Sequence, residues 1–177
     1  MECKGVRKMA GTVFWITGLS GAGKTTVGKI VYERIKSRKD NVVLLDGDDL
    51  RKTIAADLGY TNDDRHESAR RNTRLCKLLA DQGIDVICCT ICMFEDIRRW
   101  SRESNEKYVE VYLRVPMEVL KDRNQKNLYV ESQNEVVGLG VGMEEPEHPD
   151  IVVVNDGTRT PEDIADEILK KAEELER

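Results

Sequence analysis

The sequence has no stretch approaching the roughly 20 apolar residues that a membrane-spanning helix requires, so none is expected. Its opening residues, MECKGVRKMAG, carry basic side chains with no apolar run behind them, and no secretory signal is expected. Positive charge is not in excess. Across 177 residues, 28 Lys and Arg face 33 Asp and Glu, a formal net charge of −5, which argues against a nucleic-acid footprint. Metal-binding side chains are sparse as well. The two histidines, His66 and His148, stand alone, as do Cys3 and Cys76, while Cys88, Cys89 and Cys92 crowd one apolar run. A zinc site would need a second ligand cluster, so reduced, buried thiols in a cytoplasmic protein are expected instead. There is no internal repeat, low-complexity tract or linker. Residues 1–177 read as one domain, long enough to bury a core without disulfides or a structural metal.

What is present is a regular alternation. Nearly continuous Val, Ile and Leu runs predict strands covered on both faces at Thr12–Thr17, Asn41–Asp46, Asp85–Ile91, Tyr108–Val115 and Ile151–Asn155. Helical patterns fall between them: from the turn after the first strand to about Lys36, then Asp64–Gln82, Phe94–Glu106 and Met117 to about Lys126. A last helix should start after Thr160, with that residue as N-cap, Pro161 in the first position and Asp163 at the positive end. This order predicts an α/β sandwich of three layers around a five-stranded parallel sheet. The stretch from Asn127 to Pro149 breaks the rhythm, polar and without clear period. A loop this long in a compact domain suggests a lid over bound ligands, spanning about residues 123–145.

GLSGAGKT, Gly18–Thr25, fits the phosphate-binding pattern G-x-x-x-x-G-K-[ST]. Its glycines, Gly18, Gly21 and Gly23, permit backbone angles that turn successive N–H groups toward phosphate oxygens, with Ser20 and Ala22 in the same turn. The following helix adds its positive end. Lys24 would face the β- and γ-phosphates, the Thr25 hydroxyl would ligate Mg²⁺, and Thr26 continues the site. Because the motif leaves a predicted strand and opens a predicted helix, the context supports a P-loop NTPase fold that uses Mg-ATP.

The second strand ends in LLDGDDLR. Ligands in open α/β sheets sit beyond the carboxyl ends of the strands, and Asp46 and Asp48 fall there. Carboxylates beside Mg-ATP can hold the metal's water shell or take a proton from an attacking hydroxyl, and Arg51 can clamp an anion. A plainer reading makes the run a polar turn, with Asp48 or Asp49 capping the next helix. Further on, His66, Arg70 and Arg74 share a helix face with Arg71 beside it, and Arg65 lies close by. That cluster fits an anion grip, and equally a solvated face paired with Asp63, Asp64 and Glu67.

GLSGAGKTT, LDGDDLR, DLGYTNDDRHESARR and EVYLRVPMEVLKDRNQKNLY together resemble the adenylylsulfate kinases. The resemblance covers most of the chain, from about Phe14 to the fifth strand. It implies a P-loop kinase, usually a homodimer, that phosphorylates the ribose 3′-hydroxyl of adenylylsulfate with Mg-ATP to give PAPS. By the same resemblance Lys24 and Thr25 bind ATP and Mg²⁺, and Asp46 and Asp48 are the catalytic carboxylates, Asp48 being the partner of the hydroxyl. Arg51 and Arg65 grip the acceptor, Tyr60 stands where a Phe stacks on its base, and Arg123 and Lys126 form the base of the ATP lid.

The departures gather on the acceptor side. Ser68 replaces the amide of the family's DRxENxRR pattern. ICMFE replaces ISPYR, which puts Ile91 and Cys92 at the acceptor and Glu95 in place of an acceptor-binding Arg. Leu139 stands in the lid where an aromatic clamp is expected. Losing a stacked ring costs on the order of 1–3 kcal/mol per base, and an Arg-to-Glu change turns attraction for an anion into repulsion. The ATP half therefore matches and the acceptor half is rewritten. Adenylylsulfate is the expected acceptor, with cytidine diphosphoramidate of capsule pathways as the alternative. A sugar or shikimate kinase would not share DGDDLR with LGYTNDDR. A regulatory module that binds ATP without transfer is the rival from another class, and the absence of a DxxG switch argues against a GTPase.

Overall fold

In the computed structural model, residues 9–92, 94–123 and 144–175 are described. Five strands form one parallel sheet: β1 Val13–Thr17, β2 Val42–Asp46, β3 Asp85–Cys89, β4 Tyr108–Arg114 and β5 Ile151–Val154, in the order β2-β3-β1-β4-β5. The helices among the described residues are α1 Lys24–Lys36, α2 Gly47–Thr53, α3 Asn62–Ala80, α4 Glu95–Ser104, α5 Met117–Arg123 and α6 Pro161–Leu175. The strand order means that the chain leaves β1, crosses to β2 at one edge, returns through β3 and then builds toward the other edge.

Central β1 explains the two cores. Its side chains alternate faces, and both faces are covered. Phe14 and Ile16 pack with Val27 and Val31 of α1 and with Ile164 and Ile168 of α6. Val13 and Trp15 pack with Ala69 and Cys76 of α3 and Ile97 of α4. Each fully buried large aliphatic side chain stabilises the fold by about 1.5–3 kcal/mol. The approach of α1 to the sheet depends on Gly28, where any side chain would collide with the Cys89 thiol.

The ends of the elements follow local chemistry. Thr61 caps α3 through a capping box: its hydroxyl accepts from the Asp64 N–H, and the Asp64 carboxylate accepts from the Thr61 N–H at 3.3 Å. The helix therefore starts at Asn62, two residues before its predicted beginning. Thr160 and Asp163 repeat the device at α6, as the sequence predicts. Strand β3 ends at Cys89 rather than Ile91. There the Thr17 hydroxyl replaces the ladder, donating to the Cys92 carbonyl at 3.2 Å and accepting from the Cys92 N–H at 3.3 Å. LDGDDLR is a short helix and not a turn. Its N-cap is Asp46, whose carboxylate accepts from the Asp48 N–H at 2.9 Å, so neither Asp48 nor Asp49 caps it.

Behind the end of β3 sits a buried ionic cluster. Arg98, 1% exposed, pairs with Glu95 at 2.6 Å and with Glu110 of β4 at 3.1 Å, and it donates to the Cys92 carbonyl. Arg102 extends the chain of charges from Glu110 to Asp150 just before β5. Burial pushes the Glu110 carboxyl above its ordinary range, against the pull of both guanidinia.

Candidate active site

The carboxyl ends of β1, β2 and β3 open on one cavity of about 270 Å³. The turn after β1 forms one wall. Gly18 leaves the strand at φ 153°, where a Cβ would lie 2.5 Å from the Leu113 carbonyl, and Gly23 at φ 88° is the left-handed residue preceding α1. Ser20, Gly21, Gly23, Lys24, Thr25 and Thr26 line the cavity, while Ala22 is buried behind them. Lys24 Nζ bridges the turn to the Leu19 carbonyl at 2.7 Å.

The turn is braced from behind. Asn155, at the end of β5, donates its amide to the Ala22 carbonyl at 3.0 Å, and its Oδ1 accepts from Arg123 at 3.1 Å. Arg123 thus reaches the phosphate-binding turn through Asn155 and does not itself line the cavity. Sequence reading overlooked Asn155, because a lone Asn after a strand carries no local signal.

Strand β2 supplies the carboxylates. Thr25 Oγ1 donates to Asp46 Oδ2 at 2.6 Å, joining the head of α1 to the end of β2. The other oxygen of Asp46 holds the Asp48 N–H, so both are engaged, and Asp48 faces the cavity from the first turn of α2. The paired hydroxyl and carboxylate of Thr25 and Asp46 are hard oxygen donors beside the phosphate turn. That donor set fits a Mg²⁺ ion, which keeps several waters and takes few protein ligands. No cluster of three or more His, Cys, Asp or Glu suited to a metal occurs among the described residues.

Opposite the turn, Arg51, Tyr60, Arg65, Ser68 and Ile91 all line the cavity. The two guanidinia lie over the Tyr60 ring, 4.8 Å from its centroid for Arg51 and 5.6 Å for Arg65. Both also hold the loop that carries the ring, Arg51 through the Leu58 carbonyl and Arg65 through that of Tyr60. Tyr60 itself is 70% exposed, so a large aromatic surface faces solvent at the cavity mouth. Cys92 is fully buried and does not line the cavity; its carbonyl serves Thr17 and Arg98 instead. Cys89 does line it, but burial pushes its thiol up to about 12, which keeps it protonated and unreactive at neutral pH. Met93, Lys126, Leu139 and most of the expected lid lie outside the described residues.

The basic face of α3 divides into two groups. Arg70 and Arg71 are bound to Glu67, and Arg71 also grips both oxygens of Asp57 at 2.6 and 2.9 Å and the Ile54 carbonyl. These contacts hold Asp57 and Glu67 below the usual carboxylate range. His66 lies 2.7 Å from Asp96 of α4. Of these basic residues Arg65 alone lines the cavity, so the neighbouring charges build the wall rather than extend the grip. Asn72 and Thr90 also line the cavity and were not read from the sequence. The signal was the helical spacing 65, 68, 69, 72, which places all four on one face of α3.

Residues 10–154 match the adenylylsulphate kinase family. This chain belongs to that family. It is 36% identical over 173 residues to an adenylyl-sulfate kinase of Halothermothrix orenii, covering 96% of this chain and 93% of the relative. It is also 37% identical over 163 residues to the cytidine diphosphoramidate kinase of Campylobacter jejuni, covering 90% and 95%. Among solved structures, the Mycobacterium tuberculosis APS kinase in complex with AMPPNP and APS superposes with a TM-score of 0.85 at 29% identity, covering 93% of this chain and 98% of that one. The three-layer α/β fold expected from the sequence is thus that of the adenylylsulphate kinase family. The structure also shows what becomes of the family-atypical Glu95. Its carboxylate is turned onto buried Arg98 and its N–H donates to Glu144 at 2.7 Å.

Proposed function

We propose that this chain moves the γ-phosphoryl group of ATP onto the ribose 3′-hydroxyl of a nucleotide conjugate, adenylylsulfate in the first place, giving PAPS. The observation that carries the reading is one cavity walled by a phosphate-binding turn on one side and by Asp48, Arg51, Tyr60 and Arg65 on the other. Family membership supplies the reaction class: a kinase acting on a hydroxyl. The named acceptor of the Halothermothrix relative supplies the substrate.

The roles follow from position. Backbone N–H groups of the turn and Lys24 hold the ATP phosphates in line with the acceptor oxygen. Thr25 and Asp46 would hold Mg²⁺, which when bound would supply positive charge against the transferred group. Asp46 has both oxygens committed to Thr25 and Asp48, so it organises the site. Asp48, presented to the cavity, accepts the proton of the attacking hydroxyl. Arg51 and Arg65 fix the anionic linkage of the acceptor, and Tyr60 offers a ring for its base. Arg123 and Lys126 at the base of a lid over residues 123–145 complete the nucleotide side, and Leu139 within that lid is assigned to the acceptor. One domain, a homodimer and a cytoplasmic location belong to the same proposal.

One observation favours a second acceptor. At Glu95 the family pattern has a cation, and here a carboxylate is anchored on Arg98. That change removes a cation from the family's acceptor pattern, which suits an acceptor with a different far end, such as the amino-bearing terminus of cytidine diphosphoramidate.

Lys24→Ala and Asp48→Ala test the mechanism. Each should lower acceptor-dependent ADP release by about a hundredfold or more, the scale for losing a group that acts on developing charge. Circular dichroism should show the fold retained. Near-normal rates in both variants would refute the assigned roles, and ATP binding without any acceptor-dependent turnover would favour the regulatory-module reading.

A further inference from the structure

Asn72 is 3% exposed, lines the cavity, and its Oδ1 has no hydrogen-bond partner. A buried carboxamide left in this state is costly, and folded proteins rarely leave one without a reason. Asn155, the buried asparagine behind the phosphate turn, is not treated so. Asn155 uses its amide and its oxygen in bracing the phosphate turn. The Asn105 oxygen is also without a partner, but that residue does not line the cavity, whereas Asn72 does. Thr73, beside Asn72 on α3, is also satisfied, through the Arg70 carbonyl at 3.0 Å. The cost at Asn72 therefore does not come from a general shortage of partners along the helix.

Its place in the cavity suggests the missing partner. Arg65, Ser68 and Asn72 occupy successive turns of one face of α3, running from the mouth beside Tyr60 toward the end of β3. Arg65 is the charged end of this stripe, suited to a phosphate linkage. Asn72 is its neutral end, one turn on from Ser68 and Ala69, in a cavity that Cys89 and Thr90 also line. A carboxamide presents a donor and an acceptor side by side and is matched by a ligand edge that does the same.

We propose that Asn72 is a specificity-determining residue of the acceptor cavity, hydrogen-bonding a group of the acceptor that carries an N–H donor beside an oxygen or ring-nitrogen acceptor. This rests on the kinase reading above and deepens it. Two parts of an acceptor have that chemistry: the amino edge of a nucleobase, and an amidate terminus on the phosphate chain. An all-oxygen sulfate terminus has no N–H for the orphaned oxygen.

Asn72→Leu, close in size and without polar atoms, tests the assignment, with Asn72→Val as the second variant should leucine overpack. Removing an orphaned amide should leave the melting temperature unchanged or raise it. In the same variant kcat/KM for the acceptor should fall at least tenfold while KM for ATP stays within twofold. An equal loss with adenylylsulfate and with cytidine diphosphoramidate assigns the contact to the base edge. A loss confined to the amidate compound assigns it to the amidate terminus. Acceptor kcat/KM within twofold of wild type for both compounds would overturn the proposal. If wild type turns over neither compound, the kinase reading for these acceptors fails, and the thermal stabilisation each compound gives still decides about Asn72. Stabilisation lost in Asn72→Leu supports the contact; stabilisation equal in both proteins, or absent from both, overturns it.

Discussion

Arg98 shows how one buried residue can set the chemistry of a loop it never enters. Its guanidinium joins α4 to Glu110 on β4, to Glu95 and to the Cys92 carbonyl, the segment that follows β3 at the edge of the cavity. Replacing one member of such a pair leaves the other charge buried, which costs about 3–5 kcal/mol. Arg98→Met should therefore lose about 3 kcal/mol in chemical denaturation, since Arg102 still faces Glu110. Adding Glu110→Gln should recover most of that loss; a double variant no more stable than the single one would contradict this account. At the residue scale the legible part of the site was the part whose chemistry is local. Gly18, Gly23, Lys24 and Thr25 declare themselves because a phosphate turn needs those residue types at that spacing. Asn155, Asn72 and the double engagement of Asp46 were not legible. Asn155 and the bond of Asp46 to Thr25 act on residues distant in sequence, and an isolated Asn or Asp after a strand looks like any polar turn, while Asn72 offered only its helical spacing from Arg65, Ser68 and Ala69.

The loop from α2 to α3 is held at both ends by arginines. Arg51 and Arg65 grip the carbonyls around Tyr60, and Arg71 clamps Asp57, Glu67 and the Ile54 carbonyl. Because Arg71 depresses the Asp57 and Glu67 carboxyls, their contribution to stability is present above the unfolded carboxyl range near pH 4 and is lost as pH falls through the lowered folded values. Arg71→Met should flatten the acid side of the stability–pH curve in thermal melts. It should also raise KM for the acceptor more than KM for ATP, because it loosens the acceptor wall and leaves the phosphate turn alone. An unchanged acid limb would mean that the clamp contributes nothing. At the scale of elements, the strands and long helices were legible to within about two residues because their apolar runs and caps are local signals. Helix α2 was hidden, being short and almost wholly polar, with only Leu50 buried.

At the scale of the whole molecule, strand order is what makes the site. Parallel β1, β2 and β3 lie side by side in the sheet, so their carboxyl ends bring the phosphate turn, Asp46 and Thr90 to one place. The alternation of strands and helices predicted a parallel sheet but could not give the order, because order depends on which crossovers pack and not on any local pattern. The same holds for the partition of basic residues on α3 into one that faces the cavity and others that build its wall. The most direct test of the account is ADP release by the wild-type chain with Mg-ATP, comparing adenylylsulfate and cytidine diphosphoramidate with a control lacking acceptor. The account predicts turnover that depends on at least one of these acceptors and exceeds the control many times over. ATP binding with ADP release no faster in either case than in the control would contradict it.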